Sequence, residues 1–474
     1  MDNTDNTKLK ILLLSVSSTL FFYEQVVIPF GLISIGSYVD NPDYEIKGIE
    51  MNYPPDKIMV RYLKVDDELL AQVLEFSPDV VAMSTYASNM YNVMFYADVI
   101  KRHISNSFIV VGGNHVSYIA KECLSKCKGI DAVVRFEGEI PFKMICETLY
   151  KKDYDLSGIP GITYRSNNKI VENTQAGLMS DLNTLPILNR TYFAEQQSVE
   201  KVFHADIIAS RGCPYNCTFC NCNHFWSKKY RSRSVALVIE DIKNLMHMYP
   251  NLESIRIRDD SLTLVKKHCI DVCAAIVQQN IKLRFQAHSR LDGLDEDVIR
   301  ALSKSGFEIL FIGVESANKK VLERMQKGIK IEKLENIIYL LRKYGMAFRL
   351  SFMSATPGES FFMTMETVRL IKKLKLKRRE YYMGYGIDIY PGTKNSEFFL
   401  EQNPDYEWIT KEYQIKGKYT VHKDHEGNIV QPKYKEYGIF VAAIIHFILS
   451  PTWILIRIKR KRKASFKKNI WYIK

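Results

Sequence analysis

Three cysteines lie close together in the middle of the chain, in the segment 211–220, which reads RGCPYNCTFC. The segment contains turn-forming residues and follows an apolar, strand-like run at 206–209. Cys213, Cys217 and Cys220 can therefore point three thiolates at one centre, and iron–sulfur clusters are held mostly by cysteine. A cubane with four irons normally takes four such ligands, so three would leave one iron open unless Cys222 or a distant cysteine completes the set.

A structural zinc site is the main alternative for the same cysteines. Such a site usually takes four Cys or His ligands in two pairs. Cys269 and Cys273 form an obvious second pair, because an i, i+4 spacing places both on one face of the predicted helix 265–278. Cysteines are also common in protein cores, so the pair is equally consistent with an ordinary buried helix. Unligated core thiols remain a third interpretation.

The spacing C-x3-C-x-aromatic-C resembles the cluster loop of radical S-adenosylmethionine (SAM) enzymes, with Phe219 at the aromatic position. The resemblance implies that Cys213, Cys217 and Cys220 hold a [4Fe–4S] cluster. It also implies that SAM binds the open iron through its amino and carboxylate groups.

The region from 202 to 393 alternates strand-like and helical segments around this loop. Strands are predicted at 206–209, 254–258, 282–287, 308–312, 348–352 and 385–390, with helices at 234–248, 265–278, 295–305 and 331–344. Six such units predict a partial TIM-type (β/α)6 barrel. The chemistry of a barrel of this kind lies at the C-terminal ends of its strands.

Two further segments resemble the radical SAM barrel, namely GVES at 313–316 and VLERMQKG at 321–328. The resemblance implies that Glu315 binds the ribose or ammonium group of SAM; a structural ion pair on the barrel rim is the alternative. Arg290 follows a predicted strand and could pair with the SAM carboxylate in a charge-assisted bond, or lie on the surface. Asp259 and Asp260 are further acids at a strand end.

Residues 8–150 show a second alternating series. Strands are predicted at 10–16, 44–49, 79–84, 108–113 and 131–134, with helices at 66–76, 90–103, 115–125 and 140–151. This alternation predicts an α/β fold with a parallel, doubly wound, Rossmann-like sheet. Ligands of such sheets bind at the carboxyl ends of the strands.

These strand ends resemble the cobalamin-binding domain that precedes the barrel in one radical SAM class. The similar segments are PFGL at 29–32, VGGNHVS at 111–117 and DAVVRFEGE at 131–139. Paired glycines allow close backbone approach to a bulky ligand. The cofactor-binding residues predicted on this basis are Ser84, Thr85, Gly112, Gly113, His115, Glu137 and Gly138.

The chain contains no Asp-x-His-x-x-Gly stretch, so the resemblance implies cobalt without a protein histidine. His115 would then lie beside the nucleotide tail. A Rossmann-like domain that has kept its fold without a ligand is the alternative.

Four regions are predicted from these patterns. They are a cobalamin-binding domain at 8–150, a linker with a small hairpin at 151–200, the radical SAM barrel at 201–395, and a C-terminal extension with an apolar helix and a basic tail at 396–474. The hairpin is indicated by strand-like runs at 161–165 and 169–172, joined by the turn residues SNN.

Composition predicts a cytoplasmic protein with an anionic partner. The chain has nine cysteines and a polar, acidic start, which favours a reducing compartment over a disulfide framework. The net charge of +13 suits nucleic acid or an anionic membrane surface. Residues 438–456 carry no formal charge and are followed by the basic cluster 459–463. This combination favours peripheral attachment at the inner face of a membrane, with core packing or a true span as alternatives.

Together the resemblances imply a cobalamin-dependent radical SAM enzyme that cleaves SAM to a 5′-deoxyadenosyl radical. The expected reaction is methylation or rearrangement at an unactivated carbon of a hydrophobic or lipid-like substrate. The expected electron donor is a flavodoxin or ferredoxin, and no catalytic side chain is assigned.

Two other functions compete with this interpretation. One is a cobalamin sensor with a structural cluster. The other is a tRNA methylthiotransferase, which suits the basic charge but calls for three further cysteines in the N-terminal domain. Cys123, Cys127 and Cys146 lie on helical stretches instead, so a nucleic-acid partner is not expected.

Overall fold

The computed structural model describes residues 8–16, 30–51, 65–193, 199–385 and 389–409. These residues form two α/β units, one on each side of the segment 173–203. The apolar run 438–456 and the basic cluster 459–463 lie outside the described residues. Within them, no helix is both long enough and apolar enough to cross a membrane.

The N-terminal unit is built on a seven-stranded sheet. Its strands, in chain order, are β1 (Leu9–Ser15), β2 (Tyr44–Glu50), β3 (Val80–Ser84), β4 (Phe108–Gly112), β5 (Ala132–Val134), β6 (Ile162–Ser166) and β7 (Lys169–Glu172). Their order in the sheet is β2-β1-β3-β4-β5-β6-β7. The first five strands are parallel. The strand order reverses between β1 and β3, and such a switch point is where open α/β sheets bind ligands.

Helices cover both faces of this sheet, as the alternating pattern predicts. They are α1 (Phe30–Val39), α2 (Asp67–Phe76), α3 (Met90–His103), α4 (Ala120–Lys126) and α5 (Glu139–Tyr150). Alternate residues of β1 enter two separate cores: Ile11 packs with α1 and α5, and Leu12 packs with α2 and α3. Both faces of the strand are therefore apolar, as is typical of a parallel sheet.

The hairpin β6–β7, predicted within a linker, instead extends this sheet. β6 pairs antiparallel with β5, and β7 pairs antiparallel with β6. Ile162 and Tyr164 enter the same core as α5, so the hairpin buries apolar surface that a free linker would expose. Sequence patterns indicated the two strands but not the neighbour that they join.

The C-terminal unit is a six-stranded parallel sheet in the order β15-β14-β13-β12-β11-β8. Its strands are β8 (His204–Ile207), β11 (Ser254–Ile257), β12 (Arg284–Arg290), β13 (Phe307–Glu315), β14 (Ala347–Ser354) and β15 (Tyr381–Tyr385). A short antiparallel ribbon, β9 (Ser210–Arg211) with β10 (Arg231–Ser232), stands beside the sheet. The predicted α/β class with a six-stranded partial barrel is confirmed.

Helices cover one face of this sheet. In chain order they are α7 (Val235–Met248), α8 (Lys266–Gln278), α9 (Glu296–Lys304), α10 (Lys319–Arg324), α11 (Leu334–Lys343) and α12 (Phe361–Lys373); two further helices, α6 (Cys222–Phe225) and α13 (Lys394–Gln402), contribute no residue to the core on this face. The largest buried core of the protein lies between the sheet and these helices.

Two strands reach further than predicted, and one begins earlier. β12 ends at Arg290 and β13 ends at Glu315, so both residues are the last of their strands rather than residues that follow them. β15 covers Tyr381–Tyr385 instead of the predicted 385–390, of which 386–388 lie outside the described residues. Residues 377–380, which precede Tyr381, are all charged. The alternation of buried and outward residues in β15, where Tyr381 and Met383 are buried, was therefore not recognised from the sequence.

Candidate active site

The cysteine-rich loop 211–220 is held by hydrogen bonds at two positions. Gly212 has a φ of +97°, and a Cβ there would collide with the carbonyl oxygen of Lys229, so only glycine fits. The Gly212 amide donates to Asp260 Oδ2 at 2.9 Å. Further along, the Thr218 amide donates to the Met325 carbonyl at 3.0 Å. The loop is therefore fixed to the barrel at both ends.

Arg290 lies against this loop. Its Nη1 is 3.7 Å from Cys217 Sγ, and its guanidinium carbon is 3.4 Å from the centre of the Tyr215 ring. The same side chain donates to Asp292 at 2.9 Å and to the Lys327 carbonyl at 2.5 Å. The geometry thus places Arg290 beside a candidate cluster ligand, where its charge favours a thiolate.

The three loop cysteines differ in burial, with Cys217 buried and Cys213 and Cys220 half-buried. Among the described residues, no group of three Cys, His, Asp or Glu side chains converges on one ion. Cys269 and Cys273, the proposed zinc partners, are buried in the core between barrel sheet and helices. The second cysteine pair of the zinc interpretation is therefore packed among apolar core residues.

Cys222 lies just after the cysteine-rich loop and contacts two of the residues around it. Its thiol hydrogen-bonds to Cys220, which lowers the pKa of Cys220 to about 7, and it also contacts the Asp260 carboxylate. Cys222 is therefore engaged by Cys220 and Asp260.

The two predicted strand-end acids also hold the loop. Asp259 accepts hydrogen bonds from the amides of Ala209 and Ser210 at 2.8 and 2.9 Å, and from Ser210 Oγ at 2.5 Å. Burial raises the pKa of Asp259 to about 7. Asp259 and Asp260 therefore fix the connection from β8 into the cysteine-rich loop.

Glu315 occupies a strained position at the end of β13. Its φ is +68°, which is rare for a residue other than glycine, and the pairing with β14 shifts between Gly313 and Glu315. The carboxylate accepts from Lys327 Nζ at 2.8 Å and from Ser351 Oγ at 3.1 Å. A Cβ at Gly313 would lie 2.7 Å from Glu315 Oε1, so glycine makes room for this carboxylate. Backbone strain of this kind concentrates at functional sites.

Lys327 joins the three predicted SAM-binding residues and was missed as a site residue. Its Nζ pairs with Glu315 and lies 5.8 Å from the centre of the Phe219 ring, while its carbonyl accepts from Arg290. The side chain is buried. The only signal in the sequence was its place in the segment 321–328, where a lysine is most often solvent-exposed.

The predicted cobalamin-binding residues of β3 and β4 meet at the carboxyl edge of the N-terminal sheet. Gly113 has a φ of +109°, and a Cβ there would lie 2.6 Å from the Thr85 carbonyl oxygen and 3.2 Å from Ser84 Oγ. Thr85 donates to the Gly112 carbonyl through its amide at 2.7 Å and through its hydroxyl at 2.9 Å. Gly112 itself has no atom closer than 3.5 Å to its would-be Cβ. The carboxyl edge of the sheet is therefore tightly packed between Gly113 and the end of β3, whereas the backbone at Gly112 has free space beside it.

His115 begins the short 3-10 helix Val116–Tyr118 directly after this glycine pair. Burial lowers the pKa of His115 to about 4, so its imidazole is neutral at physiological pH.

Glu137 has a different environment from the one predicted. Its carboxylate accepts from Arg211 at 3.0 Å, from Arg231 at 2.8 Å and from the Met179 amide at 2.8 Å. Gly138, the next residue, is the N-cap of α5. Both oxygens of Glu137 are thus engaged by protein, and the residue lies between the two units.

Glu139 completes a buried ionic network with these residues. It accepts from Arg211 Nη2 at 2.6 Å and from Ser34 Oγ at 2.7 Å. Burial opposes its ionisation, but Arg211 and Ser34 outweigh burial and hold the pKa of Glu139 at about 2. Because Arg211 lies two residues before Cys213, this network connects the N-terminal unit to the cysteine-rich loop.

A second set of contacts brings the two predicted cofactor sites together. Asn114, next to the glycine pair, donates from Nδ2 to Asn221 Oδ1 at 3.1 Å, and the Tyr118 hydroxyl donates to the Asn221 carbonyl at 3.1 Å. The Phe136 and Phe225 rings pack edge to face at 5.6 Å. Asn221 follows Cys220 directly, so the cysteine-rich loop faces the edge that carries Gly112.

The remaining N-terminal cysteines cannot share a cluster. Cys123 and Cys127 are buried in the core on one face of the sheet, whereas Cys146 is buried in the core on the other face. A second cluster of the methylthiotransferase kind would need three thiols at one place.

Comparisons with known proteins agree with both units. Residues 22–145 match the B12 binding domain, and residues 207–384 match the Radical SAM superfamily. An uncharacterized methyltransferase of Pyrococcus horikoshii is 30% identical over 332 residues, which cover 70% of this chain and 71% of that protein. The hopanoid C-3 methylase of Methylococcus capsulatus is 26% identical over 60% of this chain and 55% of its own length.

A solved structure shows the same arrangement of the fold. The cobalamin-dependent S-adenosylmethionine radical enzyme OxsB superposes with a TM-score of 0.72 over 97% of this chain and 69% of that chain, at 18% identity. The two matched domains and the 30% identical relative confirm the family predicted from the motifs. The chain belongs to the cobalamin-dependent radical SAM methyltransferase family, whose cofactors are a [4Fe–4S] cluster, SAM and cobalamin.

Proposed function

We propose that this enzyme transfers a methyl group to an unactivated carbon of a hydrophobic or lipid-like substrate. The observation that carries the proposal is the contact of Asn221 with Asn114 and Tyr118, which sets the cysteine-rich loop against the glycine edge. A radical source and a methyl donor must share one chamber for this reaction. The relatives named as methyltransferases support methyl transfer, and the relative named as a hopanoid methylase supports a lipid-like substrate.

In this proposal, Cys213, Cys217 and Cys220 hold the cluster. When bound, the cluster supplies the electron that cleaves SAM, and cobalamin carries the methyl group. Arg290, 3.7 Å from Cys217, stabilises negative charge on the sulfur ligands.

Glu315 and Phe219 form the SAM side of the same chamber. Glu315 accepts from the ribose or ammonium group, and Phe219 lines the pocket. Lys327, whose Nζ lies 2.8 Å from Glu315 Oε1, orients that carboxylate. The rare backbone conformation at Glu315 directs the side chain over Gly313 towards the inside of the barrel.

Cobalamin binds at the other side of the chamber in this proposal. Gly112 and Gly113 allow its backbone contacts, Ser84 and Thr85 lie beside them at the end of β3, and neutral His115 lies beside the nucleotide tail. Gly138 starts α5 at the same edge.

We assign Glu137 to a positioning role, because its carboxylate is already engaged by Arg211 and Arg231. It would hold the cysteine-rich loop in place beside bound cobalamin rather than contact the cofactor.

We further propose that residues 438–463 attach the enzyme to the inner face of a membrane. Insertion of the apolar run would bury its apolar surface in the membrane. The basic cluster 459–463 would be attracted to anionic lipid, with a binding free energy of about 1 kcal/mol for each basic residue near the surface. Membrane attachment would bring the enzyme to a lipid-like substrate.

The test is anaerobic reconstitution with iron, sulfide and cobalamin, followed by SAM labelled with carbon-13 in its methyl group, a reductant and a lipid extract. We expect release of 5′-deoxyadenosine and labelled methyl in a lipid product, with neither in the Cys213→Ala variant. Release of 5′-deoxyadenosine with an unlabelled, rearranged product would favour cyclisation or rearrangement instead. No SAM cleavage by a protein that contains cluster and cobalamin would contradict the proposal.

A further inference from the structure

After the last strand of the barrel, the chain returns to the N-terminal unit. Residues 389–409, named here the strap, contain α13 and lie beyond residue 384, where the match to the Radical SAM superfamily ends. The strap contributes Ile409 to the core beside α4 of the N-terminal unit. None of its residues, all of which the structure describes, enters the core between the barrel sheet and its helices. The strap therefore extends from one unit, and its end is buried in the other.

The beginning of the strap contacts the cysteine-rich loop. The Asn395 amide, in the first turn of α13, donates to the Thr218 carbonyl at 3.0 Å. Lys394 Nζ donates to Gln326 Oε1 at 3.1 Å, and the same oxygen accepts from Asn216 Nδ2 at 2.8 Å. The strap thus supports the middle of the loop, once directly and once through a shared glutamine.

The end of the strap is anchored on α4 of the N-terminal unit. The Ile409 amide donates to Glu122 Oε1 at 2.5 Å, and Glu407 pairs with Lys126 at 2.6 Å. Ile409 is 3% exposed, and Trp408 packs against the same core. Because α4 follows the glycine edge closely in the chain, this anchor is on the segment that carries the proposed cobalamin site.

Tyr118 lies where the strap, the glycine edge and the cysteine-rich loop meet. Its ring packs against Gly392 of the strap so closely that a Cβ at that glycine would collide with the ring. The Tyr118 hydroxyl donates to the Asn221 carbonyl at 3.1 Å, and the ring meets that of Phe136 edge to face at 5.5 Å. One side chain of the N-terminal unit therefore contacts both the strap and the residue that follows Cys220.

The strap gives the cysteine-rich loop a second attachment to the N-terminal unit. The buried network of Arg211 with Glu137 and Glu139 holds the start of the loop. An attachment at one point leaves the rest of the loop free to turn about it, and the contacts of Thr218 and Asn221 remove that freedom. The separation of a radical source and a methyl donor matters, since a displacement of about 1 Å can slow an oriented reaction by about a hundredfold.

We propose that the strap fixes the separation between the cluster and cobalamin, and that Tyr118 is its positioning residue. Tyr118 acts through the Asn221 carbonyl, directly after the last cysteine of the loop, rather than on a reacting atom. The inference rests on the cofactor sites of the proposed function and adds the element that sets their spacing. It does not depend on which substrate is methylated.

The distance between the two cofactors tests this role. In the reconstituted holoenzyme, the reduced cluster and the Co(II) form of cobalamin are both paramagnetic, so pulsed electron paramagnetic resonance reports their separation. Gly392→Ala places a methyl group against the Tyr118 ring at a φ of +79°. Gly345→Ala is the matched control, because its φ is +68° and no atom of the described residues lies within 4 Å of its Cβ position.

We expect one narrow distance distribution in the wild type and in Gly345→Ala, and a broader one that extends to longer distances in Gly392→Ala. Deuterium exchange of the backbone amides of residues 213–222 should also become about tenfold faster in Gly392→Ala alone, as for the loss of about one hydrogen bond. Unchanged spacing and exchange in Gly392→Ala would overturn the proposal, as would an equal change in Gly345→Ala.

Tyr118→Phe provides a milder variant should Gly392→Ala fail to fold. It removes only the hydroxyl that donates to Asn221, and Tyr339→Phe, at an exposed position of α11, is its control. We expect broader spacing and faster loop exchange in Tyr118→Phe, whereas wild-type values there would overturn the assignment of Tyr118.

The wild type separates this inference from the proposed function. A wild type that binds both cofactors, but whose spacing and loop exchange respond to neither variant, refutes only the strap. A wild type that binds no cluster or no cobalamin refutes the proposed function. Exchange of the loop amides is measured without cofactors as well, so the strap is tested in that case too.

Discussion

Replacing Glu139 by glutamine should destabilise the protein more than any change to an exposed ion pair. The substitution keeps the shape and hydrogen-bonding oxygen of the side chain but removes its charge. Arg211, which is buried and donates to Glu139 at 2.6 Å, would then retain Glu137 as its acidic partner among the described residues. A buried cation that loses part of its compensation is costly because protein interiors solvate charge poorly.

The pKa of Glu139 gives the size of the effect. It falls from the ordinary 4.5 to about 2 because Arg211 and Ser34 outweigh the opposing effect of burial. At about 1.4 kcal/mol for each pH unit, this corresponds to about 3 kcal/mol of stabilisation at neutral pH. Removing one partner of a buried pair costs about 3–5 kcal/mol in other proteins, which agrees.

The sign of the pH dependence follows from the same shift. The folded-state pKa lies below the unfolded one, so the stabilisation is complete above pH 4.5 and is lost as the pH falls towards 2. The free energies of unfolding of wild type and Glu139→Gln should therefore differ most at pH 7. They should approach each other below pH 4.5.

Urea unfolding of the apo chains at pH 7 and pH 4 measures this difference. The matched control is Asp271→Asn, which removes the acid of an exposed pair with Lys267 at 2.6 Å. The control should cost less than about 1 kcal/mol. If Glu139→Gln costs no more than Asp271→Asn, or if its cost grows as the pH falls, the reasoning about the buried network is wrong.

Three further changes test other parts of the account. Gly113→Ala places a Cβ 2.6 Å from the Thr85 carbonyl at a φ of +109°, so cobalamin retained after dialysis should fall by about tenfold or more, and wild-type retention would contradict the role of this edge. His115→Ala should leave the electron-paramagnetic-resonance spectrum of Co(II) unchanged, whereas loss of a nitrogen hyperfine coupling would show that the imidazole binds cobalt. Truncation after Tyr437 should abolish binding to anionic liposomes while SAM cleavage persists, and high salt should weaken wild-type binding only partly; unfolding of the truncated protein would instead show that the tail is core.

The sequence predicted the parts of the site whose residues are close together in the chain. The cysteine spacing, the GVES segment and the glycine pair are local motifs, and the structure places each at the carboxyl end of a strand. Alternation of apolar runs and helical periods was sufficient to predict both parallel sheets, because each strand–helix unit repeats the same pattern.

Long-range contacts were not predictable in the same way. Glu137 was assigned to cobalamin from its neighbours in the motif, yet its partner Arg211 is 74 positions away. Lys327 pairs with Glu315 across a helix and a turn, and nothing in one sequence indicates that a lysine there is buried. The hairpin β6–β7 was recognised as two strands, but its pairing with β5 depends on which sheet edge is free.

The most direct test of the central claim is the electronic state of the reconstituted cluster. In the proposed site, Cys213, Cys217 and Cys220 leave one iron open to SAM, and Cys222 is outside the ligand set. Electron paramagnetic resonance of the reduced cluster should therefore change when SAM is added, both in the wild type and in Cys222→Ala. Cys217→Ala should lose the [4Fe–4S] signal. Loss of the cluster in Cys222→Ala, or a wild-type spectrum that SAM leaves unchanged, would contradict the account.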